Sequence, residues 1–416
     1  MRLQQIYKSL KYPNYRLYFI GQSISLIGTW MQRMAVSWLV YRLTGSAFML
    51  GMVTFAGQIP TFLLSPYGGV ISDRYNRYKI LLTTQIAAMV QAAALAAMVI
   101  SGYYNMAAII FLSVVLGIIN AFDTPSRQSL LVELVEDKKD LPNAIALNSS
   151  VINLARLIGP TIAGAVLASM GEGVCFLLNA VSFIAVIVCL LLMKLPQEVY
   201  IKPVKNLWSD FRDGYDYLQR TYVLKNMILL LACISFLMMP YATLLPVVAK
   251  DFFNGDATTF GLLNGVTGLG ALIGAFHLAL LKPGKSLDKI VLGATMVFGI
   301  SLLLFSITSY LPLALCIMTV TGFGMMTCIA GGNTFIQTHV EDKMRGRVMS
   351  FYTMAFFGMQ PFGSFLLGMI ADYIGAGYTL ALQGTAGLLI GVIFMFRLYK
   401  NRLPASAKEE VHVIHD

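Results

Sequence analysis

The chain is expected to be an all-α membrane protein, with twelve membrane-spanning helices in two pseudo-symmetric six-helix bundles. Three observations carry that expectation. The composition is 57% hydrophobic and 12% charged, with a mean hydropathy of +0.72, far more apolar than a soluble domain. About twelve apolar runs each reach the roughly 20 residues that a spanning helix needs. Finally, 26 of the 30 Lys and Arg residues fall in seven short polar stretches that all come to one side when the chain is threaded through twelve spans.

The runs lie near 15–41, 46–72, 80–101, 104–125, 143–169 and 174–194 in the first half, then 223–249, 258–281, 288–308, 312–337, 348–371 and 376–397 in the second. With a cytoplasmic N-terminus, only Arg42 and Lys250 stand on the far side, a 26 to 2 split that fixes both termini inside by the positive-inside rule. The remaining two cations, Arg33 and Arg156, fall within spans. The polar stretch between the sixth and seventh runs divides residues 1–193 from 223–400, with a linker over 194–222 and a cytoplasmic tail over 401–416. Within the linker, Leu207, Trp208, Phe211, Tyr215 and Leu218 recur at helical spacing among acidic and basic residues, the pattern of an amphipathic helix lying on the membrane surface. The halves echo each other. Val135-Glu136-Asp137-Lys138 precedes span five and Val340-Glu341-Asp342-Lys343 precedes span eleven, 205 residues later, which points to a duplicated unit.

Several classes fall away on composition. The net charge of +10 is scattered over loops rather than gathered in a stripe, so nucleic acid is not the partner. The five cysteines lie in apolar runs without Cys-x-x-Cys spacing, which excludes a disulfide framework and a metal site. No P-loop, nucleophile–His–acid set or cofactor motif occurs, so neither ATP-driven pumping nor an enzyme is expected, and no cofactor is called for. The first run lacks a cleavage pattern and reads as a retained helix.

The interior is where function should sit. Gln22, Ser25, Thr29 and Arg33 fall within about an 80° arc of span one. Ser113, Gly117, Asn120 and Thr124 cluster on span four, and Ser149, Asn153, Arg156 and Pro160 on span five. Such stripes serve either as interhelical glue or as a solute surface. A mid-membrane Arg costs about 2.5–3.5 kcal/mol on insertion scales and faces a partner or a cavity. No acid lies deep in a span by this reading, so Arg33 and Arg156 favour an anionic or oxygen-rich solute, unless each only holds backbone carbonyls. For a coupling proton, Asp123 near the inner surface and His277 are the available titrating groups.

The loop Gly69-Val70-Ile71-Ser72-Asp73-Arg74-Tyr75-Asn76-Arg77-Tyr78-Lys79 resembles the signature loop of the major facilitator superfamily, departing from it at Asn76, where the family has Gly. That resemblance implies a close helix approach at Gly69, a left-handed turn that Asn tolerates at 76, and a conformational latch. In the latch Asp73 meets a helix terminus and Arg77, following Arg74, ties it to an acid at the inner end of span four, here Asp123. Span five carries Arg156-Leu157-Ile158-Gly159-Pro160 followed by Gly164, similar to the Gly-Pro motif of the superfamily's exporters, and is expected to pack against span eight. Ala121 to Gln128, Arg345 to Ser350 and the opening segment from Asn14 to Ser46 resemble the branch that contains the enterobactin exporter and the macrolide efflux proteins.

The resulting expectation is a secondary active transporter of the major facilitator fold, monomeric and multi-pass in the cell (inner) membrane among its lipid. It exports a small amphipathic or anionic compound, siderophore-like or drug-like, in exchange for protons by alternating access. Uptake or lysophospholipid flipping by the same fold is the alternative, and a membrane receptor or membrane enzyme the alternative of a different class.

Overall fold

The computed structural model describes residues 7–194, 207–281 and 286–400, and every regular element in them is helical. The tail 401–416, Arg2, Lys202, Lys205, Lys282 and Lys285, and the side chains of Leu207, Trp208 and Asp210 lie outside the described residues. In chain order the helices are α1 Pro13–Thr44, α2 Ala47–Arg74, α3 Arg77–Ile100, α4 Met106–Glu133, α5 Leu141–Met170 and α6 Glu172–Leu191. Then come α7 Leu207–Arg220, α8 Tyr222–Phe252, α9 Ala257–Ala279, α10 Leu287–Ser306, α11 Leu311–His339, α12 Arg345–Ile374 and α13 Ala376–Lys400. Among the described residues eleven helices are long and apolar enough to cross a bilayer. The remaining span of the sequence reading, α1, is long enough at 32 residues. It is less apolar because Gln22, Ser25 and Gln32 point into the protein, where they are 2%, 4% and 2% exposed.

Helix ends follow local chemistry. Ser46, Asn76 and Asn105 cap α2, α3 and α4 by accepting from Met49, Lys79 and Ala108 backbone N–H groups. Gly45 turns the chain out of α1 in the left-handed region at φ 60°. Pro125 does not end α4. The helix carries it internally and runs on to Glu133, about two turns past the expected boundary. The helix α8 passes through two π turns, Ile234–Met238 and Val248–Phe252.

Packing groups the chain into two compact units that do not follow its linear halves. The first holds residues 1–204 with 243–268 and 364–373, and the second holds 205–242, 269–363 and 374–416. In the first unit α1 packs on α5 and α6, α3 on α4 and α6, and α2 along α4. The α2–α4 seam is tight: a Cβ on Gly117 would meet the Gly57 carbonyl, and one on Gly68 the Ala121 carbonyl. A buried chain of amides ties α1, α3 and α6 together. Gln32 donates to Gln91 at 2.9 Å, and Asn179 donates to Gln32 at 2.6 Å. Small residues also seat the late segments of this unit on the early ones, Gly261 on Gly164 and Gly368 on Gly51.

In the second unit α10 packs on α11 and α13, with Gly299 against Gly384. The helix α7 does not simply lie on lipid as the amphipathic pattern suggested. The Phe211 ring lies tilted against Phe351 with centres 4.7 Å apart, Asp213 pairs with Arg347 at 3.1 Å, and Leu218 is buried, so part of its apolar face is taken up by α12.

Candidate functional site

The loop between α2 and α3 gathers its charges differently from the expectation. Arg77 is buried at 9% exposure and donates to the Ser72 carbonyl at 3.1 Å, to Asp73 at 3.3 Å and to Glu133. The acid at the inner end of α4 is therefore Glu133 rather than Asp123, because α4 continues past Pro125 and carries Glu133 to the loop. Asp73 keeps a side chain 59% exposed, and Arg74 is exposed beside it. The close approach belongs to Gly68: a Cβ there would come within 2.9 Å of the Ala121 carbonyl carbon, whereas one on Gly69 meets nothing within 4 Å. Asn76 is not left-handed either. Its φ is −62°, and its side chain caps α3 by accepting from Lys79 N–H at 3.0 Å, so what stands where the family has Gly is an N-cap.

Asp123 is 1% exposed and sits well inside α4, which corrects the reading that no acid lies deep in a span. It pairs with Arg127 one turn along, accepts from Gln85 at 2.6 Å and from Thr84 at 3.0 Å. Arg127, read from sequence as a loop cation, is thus a helix residue engaged with a buried carboxylate. Around the pair, Tyr18 Oη, Gln22 Nε2, Gln85 Oε1 and Ser126 Oγ are buried with no hydrogen-bond partner. Buried polar atoms are normally satisfied by protein or ordered water. Seven charged or polar side chains thus gather on this part of α1, α3 and α4.

On the other candidate cavity residues, Ser25 is buried, Thr29 returns its hydroxyl to the Ser25 carbonyl at 2.9 Å, and Asn120 is half-buried. Arg33 is exposed although it lies well within α1. Among the described residues no carboxylate lies within ion-pair distance of it; its guanidinium carbon stands 5.1 Å from the centre of the Trp30 ring. Arg156, half-buried on α5, stands 5.3 Å from the same ring. No sequence pattern pointed to Trp30 as the ring that joins the two cations. Gly159 explains how it can, since a Cβ there would meet Trp30 Cβ at 2.6 Å. Gly159 therefore serves α1 rather than α9, and the expected α5–α9 packing is carried by Pro160, whose carbonyl meets Gly261, and by Gly164. His277 is exposed at the end of α9 with its ring 5.6 Å from Phe323.

Over residues 6–414 the sequence matches the family described as transmembrane secretion effectors, of major facilitator type. The chain belongs to that family. It is 29% identical to the staphyloferrin A transporter of Staphylococcus aureus across 95% of this chain and 99% of that protein. It is 25% identical to macrolide efflux protein A of Streptococcus pyogenes across 92% and 96% of the two chains. A crystal structure of the peptide transporter POT in complex with sulfate superposes with a TM-score of 0.73 over 92% of this chain and 93% of that one, at 13% identity. The fold is that of the major facilitators, and the chain is a multi-pass membrane transporter and not an enzyme.

Proposed function

We propose that this transporter exports a small anionic or amphipathic compound across the cell membrane in exchange for protons, working as a monomer by alternating access of two six-helix halves, residues 1–193 and 223–400, with both termini cytoplasmic. The observation that carries the reading is Arg33, an exposed cation inside a membrane helix with no carboxylate at ion-pair distance among the described residues. Relatives named for siderophore transport and for macrolide efflux support the export of oxygen-rich compounds. Asp123 is the coupling group in this reading, because it is a deep carboxylate whose partner Arg127 would be released by protonation. His277 is the weaker coupling group, being exposed and beside an aromatic ring.

The test is solute flux in proteoliposomes under an imposed pH gradient, with solutes chosen from the differences between knockout and wild-type culture media. Flux towards the alkaline side refutes proton exchange, and flux indifferent to the gradient refutes coupling altogether. Asp123→Asn should leave solute-for-solute exchange running and abolish gradient-driven flux.

A further inference from the structure

From the arrangement at Trp30 we infer that Arg33 and Arg156 form a paired-guanidinium subsite for a small organic anion carrying two or more carboxylates, with the Trp30 indole as its apolar floor. The inference deepens the export reading by naming a substrate class, and it rests on that reading only for which molecules are moved.

The geometry sets limits on the ligand. Both guanidinium carbons stand against one indole, at 5.1 Å and 5.3 Å from its centre, so they are no more than about 10 Å apart, within reach of two carboxylates on one short skeleton. Like charges so close repel, and Arg33 feels Arg156 and Arg127 as positive neighbours. Part of that repulsion is offset by the electron-rich face of the ring, which attracts each cation. Arg127 is already held by Asp123, whereas Arg33 has no carboxylate at ion-pair distance among the described residues. A dianion or trianion placed between Arg33 and Arg156 would relieve the repulsion that a neutral solute would leave in place.

The side-chain types set the chemistry. Guanidiniums match planar carboxylates two-pronged, and they take phosphate oxygens in the same way. Both cations here are mid-helix arginines beside one indole, so inorganic phosphate is the competing anion that the experiment below sets against a polycarboxylate. Gly159 is what lets the indole stand there, because any side chain on it would push Trp30 away from α5.

The chain has three tryptophans, Trp30, Trp38 and Trp208, so Trp38→Phe with Trp208→Phe leaves Trp30 as the sole indole reporter. In purified protein in detergent at fixed pH and low salt, tricarballylate is expected to change Trp30 fluorescence saturably. Its neutral triamide should do so at least a hundredfold more weakly, and a monocarboxylate at least tenfold more weakly. Arg33→Gln and Arg156→Gln should each lower tricarballylate affinity tenfold or more, with Arg33→Lys recovering part of it for want of the planar fork. Each variant is first shown to elute as folded wild type; where Arg156→Gln fails that check, Arg33→Gln alone decides. Equal response to the triamide, wild-type affinity in folded Arg33→Gln, or tighter binding of inorganic phosphate than of tricarballylate overturns the subsite. Binding is read at equilibrium with no gradient. Tight tricarboxylate binding without gradient-driven flux therefore refutes the export reading alone, and flux of other solutes without this binding refutes the subsite alone.

Discussion

Gly68→Ala and Gly69→Ala are neighbouring substitutions of the same type for which the structure demands opposite signs. Alanine at 68 would drive its Cβ into the Ala121 carbonyl oxygen and to 2.9 Å from the carbonyl carbon, where apolar contact ordinarily starts at about 4.0 Å, so α2 and α4 must part by about 1 Å. Overpacking of this kind costs about 1–3 kcal/mol, and the better helix propensity of Ala returns about 1 kcal/mol of it. The net expectation is a loss of up to about 2 kcal/mol, with the parting helices also loosening the neighbouring Gly57–Gly117 contact. Alanine at 69 meets nothing within 4 Å and should gain about 0.5–1 kcal/mol. Reversible unfolding of the purified protein in mixed micelles by increasing SDS measures both against wild type, and transport reports whether the α2–α3 loop still switches. The seam argument is refuted if the two variants shift stability by the same amount, or if Gly69→Ala is the more damaging.

Three further outcomes follow from other contacts. Glu133→Gln should weaken transport while Asp123→Asn, deeper in α4, leaves the Arg77 cluster intact, because Arg77 is tied to Glu133 and Asp73 and not to Asp123; cysteine accessibility next to residue 77 distinguishes them. Gly159→Leu should displace Trp30 and blue- or red-shift its emission in the single-Trp protein, whereas Gly164→Leu should instead disturb packing on Gly261 and leave that emission unchanged. At the membrane-flanking clasp, Asp140 is 1% exposed and is paired with Lys11 at 2.6 Å and Lys8 at 2.7 Å, and it accepts from Tyr12 at 2.9 Å. Lys11, then Lys8 and Tyr12, hold its carboxyl well below the usual carboxylate range, and Asp140 pushes the Lys11 ammonium up to about 12. A depressed acid contributes stability that is complete above its unfolded value and lost as pH falls towards its folded one, so wild type should lose stability relative to Asp140→Asn only below about pH 4, with the gap constant from there to about pH 10. A gap that instead closes between neutral pH and pH 5 refutes the clasp.

The membrane architecture was legible because a bilayer imposes length and polarity on every span, and those are properties of composition alone. The same holds for the family, whose signature survives as local strings such as Asp73-Arg74 and Gly159-Pro160. The candidate site was legible only as residues, without their partners. A proline at 125 normally argues for a helix end, yet packing against α2 and α3 keeps α4 going to Glu133, and that extension moves Asp123 into the interior and hands Arg77 a different acid. Of two adjacent glycines, rotation by about 100° per residue decides which one faces the neighbouring helix, and that phase depends on where α4 lies. Trp30, Gln32, Gln91 and Asn179 carried no signal, since an indole or an amide in a helix becomes a floor or a tie only when other helices bring its partners. That this chain crosses a membrane many times and moves solutes was legible in its residues alone, because solvent and local motif dictate both. Which carboxylate meets which cation, and that two arginines share one indole, depends on helix phase and packing, because those contacts join residues as much as 134 positions apart.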